Sequence, residues 1–265
     1  MNEIDLIQTF EKDFVEAGKL AMRLRKNATV EDKFNSGIKD IDIVTSSDLA
    51  VQEFILKKLS SSELKNCEIV AEENTPSKNL FAKSSDLVIT VDPIDGTMFY
   101  ATDKKMYSII VTLHNKKEPL YTFDYFPEMD WGTKIIKDRC EFLGDKPDLL
   151  NGKSAPKTIV YSGYGSKGNP EKCLPDLYEK LIGEGYQFIQ KRQINGDLGM
   201  TAQFISGSVD GYFIENGSAV DCLVALHFAL ANNYKIYQDL DISKTVPSIQ
   251  GGSEEYKGYY LVLKK

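Results

Sequence analysis

Two aspartates lie three residues apart in a stiff turn, in the segment Asp-Pro-Ile-Asp-Gly-Thr at residues 92–97. An apolar run at residues 87–91 predicts a buried strand just before it, so Asp92 stands at a strand's carboxyl end, where open α/β folds bind ligands. Pro93 restricts the backbone on both sides, and two carboxylates across such a turn can converge on one point. Gly96 lets an anion approach the backbone, and a helical turn starting there would add free N–H groups. The alternative interpretation is a plain surface turn.

Five further acidic residues lie next to predicted elements. They are Asp42, Asp48, Glu72, Glu73 and Asp221. Taken singly, each has an ordinary explanation as a solvated charge, a turn residue or a partner of a helix dipole. Taken together with residues 92–97, they favour a site made of hard oxygen ligands. Such ligands are the ones that Mg²⁺ prefers.

Helix and strand patterns indicate which elements must position these acids. Apolar residues from Ile7 to Leu24 recur at spacings of three and four, which predicts one long first helix. A second helix should be capped by Ser46 or Ser47. Further helices are predicted at residues 198–206 and 221–231. Strands are predicted at residues 68–71, 87–91, 107–113, 120–126, 158–162, 210–215 and 259–263.

A turn-rich stretch at residues 144–156 interrupts this pattern. We predict a boundary there between two lobes, which a chain of 265 residues can form comfortably. Residues 1–150 would form an α+β lobe that carries most of the metal ligands. Residues 151–265 would form an α/β lobe that carries the last ligand and the wall of the substrate site.

Composition excludes several functional classes. A net charge of −7 argues against non-specific binding of nucleic-acid polymers, which requires a basic face. Four scattered cysteines without a C-x-x-C pair argue against a disulfide framework or a zinc site. The two histidines, His114 and His227, lie in apolar segments and are interpreted as structural. We expect no membrane partner and a cytoplasmic location, because the chain starts without a basic signal-peptide region and its longest apolar stretch is short.

Motifs in a fixed order resemble the inositol monophosphatase superfamily of magnesium-dependent, lithium-sensitive phosphatases. Residues 42–48 are similar to the family's D-x-V-T-x-x-D segment, residues 71–73 (Ala-Glu-Glu) to its G-E-E, and residues 92–97 match its D-P-I/L-D-G-T in full. Residues 210–212 resemble its D-G-Y, and Asp221 stands where its W-D motif supplies the last metal ligand. The resemblance implies a layered αβαβα sandwich of the inositol monophosphatase and fructose-1,6-bisphosphatase type.

The resemblance also implies metal ligands. Glu72, Asp92 and the carbonyl of Ile94 would hold a first Mg²⁺, and Asp92, Asp95 and Asp221 would hold a second. Paired ions of this kind clamp a phosphate and lower the pKa of a bound water. The cofactor expected here is therefore Mg²⁺.

Other residues acquire roles in catalysis from the same resemblance. Asp48 would contact a looser third Mg²⁺ through water, and Thr97 and Glu72 would orient the attacking water. The backbone at Gly96 and Thr97 would cradle the phosphate. No covalent intermediate is needed, which suits a chain that lacks an obvious nucleophile–base pair.

The residues expected around the leaving group depart from the family pattern. Val220 replaces the Trp of W-D, Ala71 replaces the Gly of G-E-E, and residues 232–233 are Asn-Asn instead of Gly-Gly. Residues 196–199 read Gly-Asp-Leu-Gly where relatives carry G-S/T-A-A. The metal ligands are therefore better supported than the identity of the substrate.

The wall opposite the metals should comprise residues 191–199 and Glu215. Glu215 and Asp197 can accept hydrogen bonds from polyol hydroxyls. Lys191 and Arg192 could meet a second phosphate, or they could be ordinary surface charges. No aromatic platform for an adenine ring is evident between residues 191 and 198, which favours a neutral polyol or sugar over a nucleotide.

The leading hypothesis is an Mg²⁺-dependent phosphomonoester hydrolase acting on inositol monophosphate or a similar polyol or sugar phosphate. The alternatives within the superfamily are a 3'(2'),5'-bisphosphate nucleotidase and a fructose-1,6-bisphosphatase. A non-enzymatic alternative is a degenerate relative that only binds metal or a sugar phosphate. The expected partner is a small phosphorylated metabolite, and the resemblance implies a homodimer.

Overall fold

The computed structural model describes residues 1–32, 43–147, 155–162, 168–190, 199–247 and 254–265. Asp42, Asp197, Lys191 and Arg192 lie outside the described residues. The same holds for the proposed boundary between residues 150 and 151, so the division into two lobes stays a prediction.

The first large sheet contains the strand that leads into residues 92–97. Its strand order is β3-β4-β5-β6-β7-β8, in which β3 and β4 are parallel and the other neighbours are antiparallel. The strands are β3 (Glu68–Ala71), β4 (Val88–Asp95), β5 (Ser108–His114), β6 (Pro119–Phe126), β7 (Trp131–Ile136) and β8 (Arg139–Leu143). A short antiparallel pair, β1 (Val30–Asp32) and β2 (Ile43–Thr45), precedes this sheet. The four strands predicted here are confirmed, whereas the polar edge strand β8 and its neighbour β7 were not predicted.

The second large sheet has the strand order β10-β9-β11-β15-β12. Strands β10, β9 and β11 are parallel, and β15 runs antiparallel to both β11 and β12. The strands are β9 (Ala155–Tyr161), β10 (Gln187–Gln190), β11 (Val209–Glu215), β12 (Lys235–Gln238) and β15 (Tyr259–Leu263). A separate antiparallel pair consists of β13 (Asp241–Val246) and β14 (Glu255–Lys257).

Helices separate and cover the two sheets. They are α1 (Glu3–Gln8), α2 (Glu11–Leu24), α3 (Ser46–Ser60), α4 (Thr97–Ala101), α5 (Pro170–Cys173), α6 (Pro175–Gly183), α7 (Met200–Ile205) and α8 (Leu223–Ala231). Helices α2 and α3 cover the first sheet, α7 and α8 lie between the sheets, and α5 and α6 cover the second. The layers therefore form the expected αβαβα sandwich. Within the described ranges, no helix has both the length and the apolar character that a membrane crossing needs.

Local sequence explains most helix boundaries and three departures from prediction. The expected long first helix is two helices, because the amide and hydroxyl of Thr9 both donate to the carbonyl of Leu6 and end α1 there. The cap of α3 is Thr45, not Ser46 or Ser47, since its hydroxyl accepts the amide of Ser47 at 3.2 Å. Helix α8 begins at Leu223, so Asp221 lies in the preceding turn and not inside the helix.

The two histidines connect layers of the sandwich. His227 in α8 bonds the hydroxyl of Thr122 in β6 at 2.8 Å and the carbonyl of Lys137 at 2.9 Å. His114 in β5 bonds the hydroxyl of Tyr256 in β14 at 2.8 Å. Burial lowers the pKa of each imidazole to about 4, so both rings stay neutral near pH 7. These contacts confirm their interpretation as structural residues.

His227→Gln should flatten the pH dependence of the free energy of unfolding between about pH 4 and pH 6.5. The folded protein keeps His227 neutral down to about pH 4, whereas the unfolded chain protonates it below its ordinary pKa of 6.5. Stability therefore falls as the pH drops through this window, by about 1 kcal/mol per pH unit for this group. Urea unfolding at several pH values measures the slope; parallel curves for the variant and the parent would contradict the assignment.

Candidate metal centre and phosphate site

The ends of β3 and β4 bring the first acids together. The parallel register pairs Ala71 with Val91, so the next residues, Glu72 after the end of β3 and Asp92 within β4, lie side by side. The amide of Glu72 donates to the carbonyl of Val91 at 3.1 Å and fixes this arrangement. Asp92 is 4% exposed. Burial raises the pKa of Asp92, and the side chain of Glu72 lies close enough to raise it further by repulsion and by a hydrogen bond.

A β-bulge in β4 turns Asp95 toward Asp92. Asp92 pairs with Ile110 and Asp95 with Ser108, so β4 advances by three residues over the stretch in which β5 advances by two. Without the extra residue, side chains three positions apart would point to opposite faces of the sheet. A carboxylate oxygen of Asp92 accepts the amide of Ile94 at 3.0 Å, which tightens the turn. The bulge explains how a spacing of three can give two convergent carboxylates.

Asp221 reaches the same point from the second sheet. It lies between β11 and α8, and its carboxylate oxygen lies within 4.8 Å of those of Asp92 and Asp95. Hydrogen bonds hold the chain on both sides of it, since the amide of Ala219 donates to the carbonyl of Glu254 and the hydroxyl of Tyr260 donates to the carbonyl of Cys222. The site therefore depends on correct packing between the two sheets.

A second acidic group adjoins the first. Carboxylate oxygens of Asp48, Glu72 and Glu73 lie within 4.8 Å of one another. The side chain of Gln52 in α3 brackets the backbone of Glu73, donating to its carbonyl at 2.7 Å and accepting its amide at 2.8 Å. Asp48 is the third residue of α3 and closes a capping box by accepting the amide of Thr45 at 2.9 Å. The helix cap thus also fixes the position of a site residue.

Burial, and then repulsion between carboxylates, raises the pKa of Asp92 and of Asp48. For Asp92 burial is the main cause, followed by repulsion from Glu72, Asp95 and Asp221. Burial likewise raises the pKa of Asp48 to about 7, although the hydrogen bond from the Thr45 hydroxyl opposes the shift. A divalent cation would relieve this repulsion, and the surrounding carboxylates supply the hard oxygen donors that Mg²⁺ requires. The residues present therefore fit a magnesium centre.

Gly96 and Thr97 connect this centre to α4. Gly96 adopts the left-handed conformation with φ of +87°, and the short helix α4 starts directly after it, as the motif suggested. The hydroxyl of Thr97 lies 3.1 Å from the carbonyl oxygen of Ile94 and 3.4 Å from a carboxylate oxygen of Asp48. Thr97 is therefore held at the junction of the two acidic groups.

Glu215 stands at the end of β11 and is half-buried. Its carboxylate accepts the amide of Gly168 at 2.6 Å. It also lies near Cys173, where burial and then the carboxylate raise the pKa of the thiol to about 12. Glu215 thus holds the backbone at Gly168, while its role toward a substrate, like that of Asp197, stays a prediction.

Sequence reasoning missed Asp124, which lies in β6 and is completely buried. Register places it in one row with Asp92 and Thr133, across Ile110, on a single face of the sheet. Among the described residues, neither of its carboxylate oxygens has a partner with hydrogen-bond geometry. The hydroxyl of Ser108 is nevertheless close enough to lower the pKa of Asp124. Burial raises its pKa to about 7, and Asp95 adds repulsion. An aspartate inside the apolar run at residues 120–126 was the available signal.

Comparison with known proteins places these observations in a family. The model described as "Inositol monophosphatase family" matches residues 6–213. Inositol monophosphatase 1 of Saccharomyces cerevisiae is 24% identical over 204 residues, which cover 71% of this chain and 67% of the yeast protein. Inositol monophosphatase of Dictyostelium discoideum is 30% identical over 177 residues, which cover 65% of this chain and 63% of that protein. The chain thus spans about two thirds of the curated relatives it matches.

Solved structures show the same architecture. A Thermotoga maritima IMPase has a TM-score of 0.64 at 15% identity, with 98% of this chain and 92% of that chain covered. An IMPase/NADP phosphatase complexed with Mg²⁺ and phosphate has a TM-score of 0.67 at 16% identity, with 100% and 92% covered. At these identities the likeness shows the fold alone, the layered αβαβα sandwich. Family membership and the names of the curated relatives indicate a phosphomonoester hydrolase. Because the family model spans well over half of the sequence, we conclude that this chain belongs to the inositol monophosphatase family.

Proposed function

We propose that this chain hydrolyses a small phosphomonoester, with inositol monophosphate or a similar polyol or sugar phosphate as substrate and Mg²⁺ as cofactor. The observation that carries the proposal is the convergence of Asp92, Asp95 and Asp221, which come from both halves of the chain. Nothing in the packing of an apolar core requires three carboxylates at one point. A degenerate binding protein is disfavoured because Glu72 and Thr97 are also in place beside this group.

Each acid then has a distinct role. Glu72, Asp92 and the carbonyl of Ile94 would hold one Mg²⁺, and Asp92, Asp95 and Asp221 would hold another. Bound Mg²⁺ supplies charge neutralisation for the phosphate and activation of a water molecule. Asp92 belongs to both sets, so it has the greatest effect on metal binding in this proposal.

The chain's own residues would position water and phosphate. The hydroxyl of Thr97, next to Ile94 and Asp48, can hold a water molecule by hydrogen bonding. Asp48 would contact a looser third Mg²⁺ through water, and Glu72, whose carboxylate lies within 4.8 Å of that of Asp48, would help Thr97 to orient the attacking water. Free N–H groups at the start of α4 point to an anion-binding role for Gly96 and Thr97.

Substrate choice rests on the far wall of the site. Glu215 retains acceptor capacity beyond its bond to Gly168 and can bind polyol hydroxyls. Asp197 would contribute in the same way. A neutral polyol or sugar monophosphate is therefore preferred over a nucleotide bisphosphate. A homodimer and a cytoplasmic location, both expected from the sequence, stay predictions for sedimentation and localisation experiments.

Asp92→Asn should reduce turnover on the order of a hundredfold or more and weaken stabilisation by Mg²⁺. The lost carboxylate removes a ligand from both metal sets. Phosphate release and the rise in Tm on adding Mg²⁺ measure the two effects. Asp86→Asn is the matched control, because Asp86 is exposed in the loop before β4. Near-normal turnover in Asp92→Asn, or full activity of the parent in excess chelator, would show that the metal assignment is wrong.

Gly96→Ala should lower the free energy of unfolding by about 1–2 kcal/mol and also lower turnover, because only glycine adopts this left-handed turn at no cost. A Cβ there would lie 3.0 Å from the carbonyl oxygen of Met106. Gly183→Ala is the control, since nothing lies within 4 Å of its Cβ. Denaturant unfolding and phosphate release test both variants. Equal behaviour of the two would contradict a tightly fitted turn.

Inositol 1-phosphate should have a higher kcat/KM than 3'-phosphoadenosine 5'-phosphate and fructose 1,6-bisphosphate. The reason is that Glu215 and Asp197 suit hydroxyl groups, whereas no aromatic platform for an adenine ring is evident between residues 191 and 198. Steady-state phosphate release at saturating Mg²⁺ compares the three substrates. A tenfold preference for either bisphosphate, about 1.4 kcal/mol in transition-state stabilisation, would overturn this choice.

A further inference from the structure

Arg25 makes an unusually complete set of contacts for a residue outside the metal centre. It follows α2 directly, and its side chain is only 11% exposed. Its Nε donates to the carbonyl of Tyr100 at 3.0 Å, and its Nη2 donates to the carbonyls of Phe99 at 3.2 Å and Lys104 at 2.6 Å. Its Nη1 pairs with Glu128 at 3.0 Å. Each of the three nitrogens is therefore engaged.

Two tyrosines complete the surroundings of this guanidinium group. Arg25 lies 5.3 Å from the ring centre of Tyr100 and 5.2 Å from that of Tyr107, within the range of cation–π attraction. The hydroxyl of Tyr100 donates to the carbonyl of Ala21 in α2 at 2.8 Å. The hydroxyl of Tyr107 donates to Glu128 at 3.3 Å. These contacts fasten α4 and the loop after it to α2.

The short helix α4 needs such support. It has five residues, Thr97–Ala101, which is too short to be stable by its own hydrogen bonds. Its last carbonyls accept the amides of Thr102, Asp103 and Lys104 in the turn after the helix, and its dipole places partial negative charge there. Arg25 supplies both hydrogen bonds and a positive charge at that end, while the other end carries Gly96 and Thr97.

We infer that Arg25 is a positioning residue that clamps the carboxyl end of α4 and so holds the Thr97 hydroxyl against Ile94 and Asp48. The effect on catalysis rests on the proposed function, because that function assigns Thr97 to the water molecule. The clamp itself is a property of the fold. Lysine cannot replace it, since an ammonium group lacks the planar fork that reaches three carbonyls and a carboxylate together.

A cavity beside Arg25 makes chemical rescue feasible. It has a volume of about 300 Å³ and is lined by Met22, Lys26, Tyr100 and Glu128 among others. Truncation of Arg25 would extend this space into the clamp. A small planar cation could then occupy the place of the guanidinium group.

The kinetic test compares Arg25→Ala and Arg25→Lys with Arg23→Ala, an exposed arginine in α2. With the parent's best phosphomonoester at saturating Mg²⁺, both Arg25 variants should lose kcat on the order of tenfold to a hundredfold, with KM changed less than about threefold. Dilute guanidinium chloride should restore part of kcat in Arg25→Ala, whereas methylammonium chloride should not. Unchanged kcat, a loss confined to KM, or full activity of Arg25→Lys would overturn the inference.

Hydrogen exchange tests the clamp without any substrate. The hydrogen-bonded amides of Phe99, Tyr100, Thr102 and Lys104 should exchange at least tenfold faster in Arg25→Lys than in the parent, with β5 and β6 unchanged and Arg23→Ala behaving as the parent. If Arg25→Ala fails to fold, Glu128→Gln supplies the second variant and should show a smaller change in the same amides. Unaltered or uniformly faster exchange would refute the clamp. Failure of the parent to hydrolyse phosphomonoesters would refute the proposed function alone.

Discussion

Electrostatic repulsion among buried carboxylates is the constraint on which this structure depends. Asp92 is nearly inaccessible to water and lies among Glu72, Asp95 and Asp221, so its charged form is disfavoured both by burial and by its neighbours. Such an arrangement weakens the fold unless a cation occupies it. Holding these carboxylates together therefore lowers stability locally, which is common at functional sites.

The rigid surroundings keep these carboxylates from moving apart. Parallel pairing of β3 with β4 sets Glu72 beside Asp92, and the bulge in β4 redirects Asp95. Asp221 is carried by the turn before α8, and α8 packs against both sheets. His227 ties that helix to β6 by neutral hydrogen bonds that do not depend on the charge state of the site at neutral pH. The position of the last acid is thus a consequence of how the layers pack.

Polar residues also lie behind the site, on its core side. Arg25 neutralises the end of α4 at a distance from the acids, and Gln52 fixes the backbone of Glu73. Asp124 places another carboxyl group in the same row as Asp92, on the same face of the sheet. Gln52 and Asp124 are buried, and the side chain of Arg25 is only 11% exposed.

Local sequence determined the elements and the first part of the site. Alternating apolar and β-branched residues gave β3 and β15 with correct boundaries, and the motif at residues 92–97 indicated both the acids and the start of α4. These features depend on residues a few positions apart, and the sequence shows such neighbours directly. Strands β8, β10 and β12 were missed because they are at or near sheet edges and carry little apolar alternation.

Tertiary structure alone decided the rest. The bulge that converges Asp92 with Asp95, the burial of Asp124, and the contacts of Arg25 with carbonyls more than 70 positions away all arise from packing between distant segments. Spacing along the sequence does not show which distant groups will contact each other, because those contacts depend on the fold as a whole.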